Sequence, residues 1–345
     1  MRFIAFLVIL LVLAGLTAAG GLYSFNQFET IEREFSGLCA PVSGVAGPED
    51  IQIDYSARRA FISSLDRRAS NVRGGIHVFD LNDPLASGGW RDRTGGLPAV
   101  FRPLGIDYYE DEDVRRLFVV NEANAAVEMF DIADNGALLH VETFHERRMT
   151  SPNNIVAVGR RSFYVTNDVK AGRNSILGNI QFLTRAGTGQ VLFTDGAVWR
   201  VAAEGLRFAN GIDISPEKDR LYVSETAVDT VRIYDRDTET GALILFKTVK
   251  LDAAPDNITV DRAGNLWVAA LPKPLSLPRL KKNPKALAPS EIIRISADGE
   301  PVIVYRDDGA EISASTVATR IGDMLLIGTL YDKKFLICEL PAGAN

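Results

Sequence analysis

Apolar and polar residues alternate along most of the chain in short runs that polar turns separate. Six of these runs are rich in β-branched and aromatic residues, which is typical of strands. Roughly 45 to 60 residues separate one run from the next, an interval that fits a repeating four-stranded blade. The six runs are residues 61–64, 118–121, 164–167, 222–225, 267–270 and 326–329.

A second set of alternating runs follows several of the first and ends at an acidic turn residue. These partner runs are residues 76–80, 127–131 and 231–235. A β-sandwich is the alternative, but it does not explain a repeat that continues across nearly the whole chain. We therefore predict an all-β, six-bladed β-propeller over residues 39–340, with a short tail at residues 341–345.

Two segments depart from the strand pattern. Residues 174–184 carry Ile176, Leu177, Ile180 and Leu183 at helical spacing, which predicts a short amphipathic helix inserted over one face of the propeller. We expect it to pack on the blades; a lid or membrane-contact role is the alternative. Residues 272–289 are rich in Pro and Lys and are predicted to form a long loop.

The N-terminus is an apolar run, residues 3–19, behind the single basic residue Arg2, and it ends in small residues. This pattern predicts a hydrophobic helix that is a signal peptide or a signal-anchor over residues 1–22, followed by a connector at 23–38. Retention would anchor the propeller on the non-cytoplasmic side of a membrane. Cleavage would give a secreted or periplasmic protein.

The chain has two cysteines, Cys39 and Cys338, one near each end of the predicted propeller. Export makes a disulfide chemically permissible, and a bridge between them would tie the ends of the chain at the seam of the ring. Such a bridge would stabilise the fold by roughly 5 kcal/mol in the chain-entropy model. Two unrelated buried thiols are the alternative.

The formal net charge of −6 excludes one broad class of partner. A protein that binds phosphate backbones shows a clustered excess of Lys and Arg, which is missing here, so we expect no nucleic-acid partner. The hydrophobic share of 46% and the charged share of 24% match an ordinary globular protein.

Polar pairs stand before four apolar strand segments: Glu49-Asp50, Asn153-Asn154, Asn210-Gly211 and Asp256-Asn257. Propellers bind ligands near the start of their innermost strands, so these side chains are expected to converge in the channel mouth. Carboxylate and amide oxygens suit a hard divalent cation, hence Ca²⁺ rather than Zn²⁺. Ordinary turn chemistry is the alternative for each pair.

The motifs that contain these pairs resemble the paraoxonases, which are calcium-dependent lactonases and arylesterases within a wider six-bladed group of gluconolactonase-like and phosphotriesterase-like enzymes. The resemblance covers about residues 39–340. It rests on residues 47–50, 153–159, 163–168, 203–212, 256–258, 266–268, 315–318, 325–329 and 338–340.

The resemblance implies two calcium sites, a Cys39–Cys338 disulfide and a retained apolar N-terminus. The ligands it implies for a catalytic ion are Glu49, Asn153, Asn210, Asp256 and Asn257. A second, structural ion is implied near Asp50, the carbonyl of Ile106 and Asn154. The family has an aspartate where this chain has Asn154, and the loss of that carboxylate should weaken the second site.

The histidines that paraoxonases place near the catalytic ion are replaced by Leu104, Glu122 and Leu271. The three histidines present, His77, His140 and His145, lie outside the matching motifs. We expect Asp256 to act as base or nucleophile, with Glu122 as the second candidate. Leu104 and Leu271 are expected to line a drier pocket that favours hydrophobic lactones or esters.

Together these features predict a calcium-dependent hydrolase of small-molecule lactones or aryl esters that works without the family histidine pair. A non-catalytic, calcium-stabilised propeller that binds a partner or lipid is an alternative. A phosphotriesterase or sugar-lactonase, using the same ions on other substrates, is another.

Overall fold

The computed structural model of the chain describes residues 20–82, 90–92, 96–296 and 299–341. The predicted hydrophobic helix at the N-terminus lies almost wholly, and the tail mostly, outside these residues. The described strands form six antiparallel sheets of four strands each. The prediction of an all-β, six-bladed β-propeller is confirmed.

Five blades follow the chain in order. Blade 1 holds β2 (Pro48–Asp54), β3 (Arg59–Ser64), β4 (Gly75–Asp80) and β5 (Trp90–Asp92); blade 2 holds β6 (Pro103–Asp111), β7 (Val114–Asn121), β8 (Ala126–Ile132) and β9 (Leu138–His145). Blade 3 holds β10 (Pro152–Ala157), β11 (Phe163–Asn167), β12 (Gly189–Thr194) and β13 (Trp199–Leu206); blade 4 holds β14 (Ala209–Ile214), β15 (Arg220–Glu225), β16 (Thr230–Arg236) and β17 (Leu243–Lys250). Blade 5 holds β18 (Ala254–Val260), β19 (Leu266–Leu271), β20 (Ser290–Ile295) and β21 (Pro301–Asp307).

Blade 6 closes the ring with both ends of the chain. It joins β22 (Ser315–Ile321), β23 (Met324–Thr329) and β24 (Lys334–Glu339) to β1 (Leu38–Ser43), which is its outermost strand. Cys39 lies opposite Cys338 in this pairing, and the two form the predicted disulfide. The bridge therefore locks the seam where N- and C-terminal strands meet.

The first strand of each blade lines the channel, since β2, β6, β10, β14, β18 and β22 contact one another in cyclic order. The six apolar runs of the sequence lie in the second strand of each blade. Their side chains fill the space between blades; Phe118 of blade 2, for example, packs against Phe163 of blade 3 with ring centroids 5.5 Å apart. The periodic signal thus belongs to the packed layer around the channel.

A short helix, α1 (Ile176–Leu183), is inserted between β11 and β12, which confirms the predicted helix. Ser175 begins it by accepting a hydrogen bond from the Gly178 N–H through its hydroxyl. The expected packing of its apolar face on the blades is not observed, because Ile176, Leu177, Ile180 and Leu183 are 49–82% exposed. Helical spacing predicts that a face exists and leaves open what covers it.

The segment predicted as a plain loop also contains a helix, α2 (Leu277–Lys282), preceded by a 3₁₀ turn at Pro274–Ser276. Two of the five prolines in this segment, Pro274 and Pro278, stand at the first positions of these helices, where a proline costs no backbone hydrogen bond. Leu280 from α2 packs with Leu271 and Tyr331 at the edge of blades 5 and 6.

The connector that precedes β1 is held against the propeller. Phe25 is buried and stacks on Phe182 of α1, with ring centroids 5.7 Å apart. Arg185 donates a hydrogen bond to the Ser24 carbonyl, and Glu34 forms a bridge with Arg306. Among the residues that the structure describes, no helix is both long enough and apolar enough to cross a bilayer.

Candidate functional site

The predicted ligands lie inside the innermost strands rather than in turns before them. The register of the first two strands of a blade shifts between Pro48 and Ile51, Pro152 and Ile155, Ala209 and Ile212, and Pro255 and Ile258. Each shift is a β-bulge, and each polar pair of the sequence occupies one. A bulge bends its strand and re-aims side chains, which turns these residues toward the channel.

Hydroxyl groups of the second strands satisfy the backbone of these bulges. In three blades a Ser or Thr side chain accepts the N–H of the second bulge residue. The pairs are Asp50 with Ser63 (3.0 Å), Asn154 with Thr166 (2.9 Å) and Gly211 with Ser224 (2.7 Å). These hydroxyls replace the ladder hydrogen bond that a bulge loses.

Two of these hydroxyls, together with that of Thr316, also donate to the carbonyl of a predicted ligand in the next blade. The pairs are Thr166 with the Asn210 carbonyl (2.5 Å), Ser224 with the Asp256 carbonyl (2.6 Å) and Thr316 with the Glu49 carbonyl (2.8 Å). Sequence reasoning missed this role. The available signal was a hydroxyl residue at the same place in three second strands, 61–64, 164–167 and 222–225.

The five residues predicted to hold the first ion, here called the outer cluster, are buried. Glu49, Asn153, Asn210, Asp256 and Asn257 are each at most 8% exposed. Three buried oxygens among them have no hydrogen-bond partner, namely Glu49 Oε2, Asn153 Oδ1 and Asn210 Oδ1. A buried acceptor left unpaired costs about 1–3 kcal/mol, so three such oxygens together indicate a site that fits a cation.

Contacts among members of the outer cluster link three blades, and Asn153 is held within the fourth. The Asn257 side-chain amide donates to Glu49 Oε1 at 3.1 Å. Asn210 hydrogen bonds to Asp256. Asn153 hydrogen bonds to Asp168, which follows β11.

The surroundings of the outer cluster disfavour the ionised forms of its two carboxyl groups, Glu49 and Asp256. Burial raises the pKa of Asp256 well above its ordinary value, and the neighbouring Glu49 raises it further. Burial likewise raises the pKa of Glu49, while Arg67 and the Asn257 amide act in the other direction. A bound cation would favour the ionised form of both groups.

The residues predicted for the second ion, here called the inner cluster, are also brought together. The Ile106 N–H donates to Asp50 Oδ2 at 2.8 Å, and the Ile51 N–H donates to Asp50 Oδ1 at 2.9 Å. Asn154 Oδ1 accepts from the Ile155 N–H at 2.6 Å. Every side-chain oxygen of Asp50 and Asn154 accepts a backbone N–H, whereas three oxygens of the outer cluster accept none.

Metal sites built from acidic, histidine or cysteine side chains alone are not found in the described parts of the chain: none of them holds three or more such groups within reach of one ion. The outer cluster is of another kind, since it combines two carboxylates with amide oxygens. That donor set matches hard, oxygen-seeking cations.

A cavity of about 180 Å³ lies beside the outer cluster. Glu122 and Arg173 line it together with residues 150–152, 172, 174 and 175. Glu122 pairs with Arg102 at 3.0 Å, and Arg173 pairs with the buried Asp168 at 2.6 Å. The loop that leads into α1 therefore forms one wall of the cavity and is tied to the strand that carries Asn153.

The two leucines expected to line a pocket are both buried in apolar clusters. Leu104 is buried in the core between blades 2 and 3 with Phe118 and Met149. Leu271 is buried against Leu280. Neither is among the residues that line the 180 Å³ cavity, whose charged side chains make it more polar than the sequence suggested.

The histidines stand on outer strands, away from the channel. His77 lies in β4, and His140 and His145 lie in β9. His140 contacts the buried carboxylate of Glu128 at 3.0 Å.

The chain matches one known family and several known proteins over most of its length. The model of the arylesterase family matches residues 43–340. A serum paraoxonase/arylesterase 2 from Gallus gallus is 33% identical over 95% of this chain and 97% of its own length. The human serum paraoxonase/arylesterase 1 is 34% identical over 88% of each chain.

Solved structures support the fold. A gluconolactonase from Xanthomonas campestris superposes with a TM-score of 0.59 at 18% identity, covering 90% of this chain and 91% of that one. A regucalcin from Agrobacterium tumefaciens gives a TM-score of 0.55 at 14% identity, with coverage of 87% and 93%. At these identities the likeness concerns the propeller alone, whereas the match over residues 43–340 and the 33–34% identity to paraoxonases concern the sequence itself. On that ground the chain belongs to the arylesterase family, the family of the serum paraoxonases.

Proposed function

We propose that this chain is a calcium-dependent hydrolase of lactones or aryl esters that acts at the outer cluster. The observation that carries the proposal is the set of three buried, unpartnered oxygens of Glu49, Asn153 and Asn210 beside Asp256. Oxygen donors without sulfur or imidazole favour calcium over zinc. Membership of the arylesterase family supports ester or lactone substrates.

When bound there, calcium supplies a Lewis acid that polarises the carbonyl group of the substrate. Asp256 is the base: its carboxylate takes a proton from the attacking water and returns it to the leaving oxygen. The Asn210 hydrogen bond and the charge of Arg173 both favour the ionised form of Asp256. Asn257 holds Glu49 in place through its side-chain amide.

Glu122 is the second candidate base, and its position gives it another role as well. It lines the cavity and is held by Arg102, so its carboxylate faces the space next to the outer cluster. We propose that the substrate's acyl or leaving group occupies this cavity between Glu122 and Arg173.

The test uses the purified full chain with γ- and δ-lactones and phenyl acetate. Turnover is measured as prepared, after treatment with a chelator, and after calcium is restored. We expect turnover that the chelator abolishes and calcium recovers. If no member of the panel shows chelator-sensitive turnover, the proposal fails. Calcium binding without turnover would support a non-catalytic propeller. In a second panel of phosphotriesters and sugar lactones, turnover of these substrates alone would support a phosphotriesterase or sugar-lactonase.

We also propose that the N-terminal segment is retained and attaches the protein to a membrane on its non-cytoplasmic side. The apolar residues 3–19 lead directly into the segment that docks on α1, where Leu22, Tyr23, Ile176 and Leu177 are exposed. Exposed apolar surface of this kind suits the lipid interface. Mass spectrometry of the mature protein tests the proposal: an intact N-terminus supports it, and a start near Gly20 contradicts it.

A further inference from the structure

The inner cluster lies beside the outer cluster and is fully packed. Asp50 and Asn154 are 2% exposed or less. The backbone of Gly105 passes so close that a Cβ atom there would lie 2.4 Å from Asn154 Oδ1. Atoms of Gly105 and Asn154 therefore fill the space where β6 and β10 meet.

Asn154 presents a donor, not an oxygen, to its neighbour in the outer cluster. Its Nδ2 donates a hydrogen bond to Asn257 Oδ1 at 2.8 Å, while Asn257 Nδ2 donates to Glu49 Oε1 at 3.1 Å. Both bonds run in the same direction, from Asn154 through Asn257 to Glu49. These two hydrogen bonds are here called the relay. The relay orients both side chains and brings partial positive charge to Asn257 Oδ1, as a cation at that place would.

The charge of the neighbouring side chains also favours a neutral residue at position 154. Glu49 and Asp50 of β2 and Asp256 of β18 are already buried carboxylates on the innermost strands around the channel. A carboxylate at position 154 would add another negative charge to this buried region and would require compensation by a cation. The neutral amide at this position requires none.

We propose that the Asn154 amide takes the place of an inner cation, so that the folded chain holds one calcium ion, in the outer cluster. This inference rests on the proposed function for the outer ion. It adds that Asn154 is a positioning residue, which acts on the ion through Asn257.

The test counts calcium. The full chain is dialysed to equilibrium against buffered calcium, and bound metal per chain is measured by elemental analysis and by titration calorimetry. We expect one ion per wild-type chain. Two ions per chain would overturn the inference and leave the proposed function intact, whereas no bound ion together with chelator-insensitive turnover would overturn the proposed function itself.

The variant Asn154→Asp sharpens the count by restoring a carboxylate to the inner cluster. We expect it to bind two ions and to lose thermal stability when the chelator is added, more than wild type does. A folded variant that keeps one ion and the wild-type response to chelator contradicts the inference. Asn153→Asp is the matched control, because the same charge is added one residue away in the outer cluster, and one ion is expected.

The variant Asn154→Ala gives an independent answer and does not bury a charge. Loss of the relay leaves Asn257 without its donor, so we expect one ion still, with a dissociation constant raised about tenfold or more, as when a group that orients a metal ligand is removed. If Asn154 instead binds an inner ion through Oδ1, the count falls from two to one, which contradicts the inference.

Discussion

The channel contains two sets of buried carboxylates and amides that differ in one respect. Deeper in the channel, Asp213 accepts the Ile214 N–H at 2.7 Å and the Val260 N–H of the next blade at 2.6 Å. Asp107 accepts the Ala157 N–H of its next blade at 2.6 Å. In the outer cluster, by contrast, Glu49 Oε2, Asn153 Oδ1 and Asn210 Oδ1 accept no hydrogen bond.

The difference separates a structural use of acidic residues from a ligand-binding use. Asp213 and Asp107 link neighbouring blades by accepting backbone N–H groups, so burial of their oxygens is compensated within the chain. The outer cluster lies in bulges, which re-aim side chains toward the channel, and three of its oxygens meet no such N–H group. Both sets contain carboxylates, and the missing donors distinguish the candidate site.

The largest expected effect belongs to Asp256→Asn. Loss of the base should lower kcat/KM for a lactone by about 10²–10⁴-fold, the usual contribution of general base catalysis. Calcium binding is measured alongside, and Asp213→Asn is the control from the deeper set, with activity expected to be retained. Unchanged turnover with intact calcium binding would remove Asp256 from the mechanism.

Glu49→Gln separates metal binding from stability. The amide removes one ligand charge, so the dissociation constant for calcium should rise by about tenfold or more. It also removes the charge that opposes Asp256, so the thermal midpoint measured in chelator should rise above that of wild type. A lower midpoint in chelator would show that the two carboxylates do not oppose each other in the folded chain.

Asp213→Asn tests the deeper set through pH. Burial raises the pKa of Asp213 to about 7 from 3.8. Between these values the folded chain holds a proton that the unfolded chain has released, so this group makes stability fall as pH rises, by up to about 1.4 kcal/mol per pH unit.

Urea unfolding between pH 5 and pH 7 measures that slope. Asp213→Asn should remove this contribution, while Glu217→Gln, an exposed glutamate nearby, should leave the wild-type slope. Equal slopes in all three proteins would contradict the raised pKa of Asp213.

The smallest effect is expected for Glu122→Gln. Glu122 lines the cavity but is paired with Arg102, so we expect a change in kcat/KM of less than about tenfold, mainly through KM. A loss as large as that of Asp256→Asn would transfer the role of base to Glu122.

Much of this molecule follows from the sequence. The spacing of six apolar runs predicts the six blades, because the second strand of each blade is buried on both sides and is therefore mostly apolar. The cysteines at the two ends and the helical spacing of residues 174–184 likewise predicted the seam disulfide and α1. The polar pairs at Glu49, Asn153, Asn210 and Asp256 marked the candidate site.

Tertiary structure alone decided what surrounds these residues. Leu104 packs with Phe118 and Met149, the apolar face of α1 is exposed, and Asn154 and Asn153 differ in whether their oxygens have partners. Local patterning reports the alternation of a strand or the face of a helix. The partner of a channel side chain comes from another blade, 47 residues away for Asp213 and Val260 and 103 for Asn154 and Asn257, and no local pattern contains it.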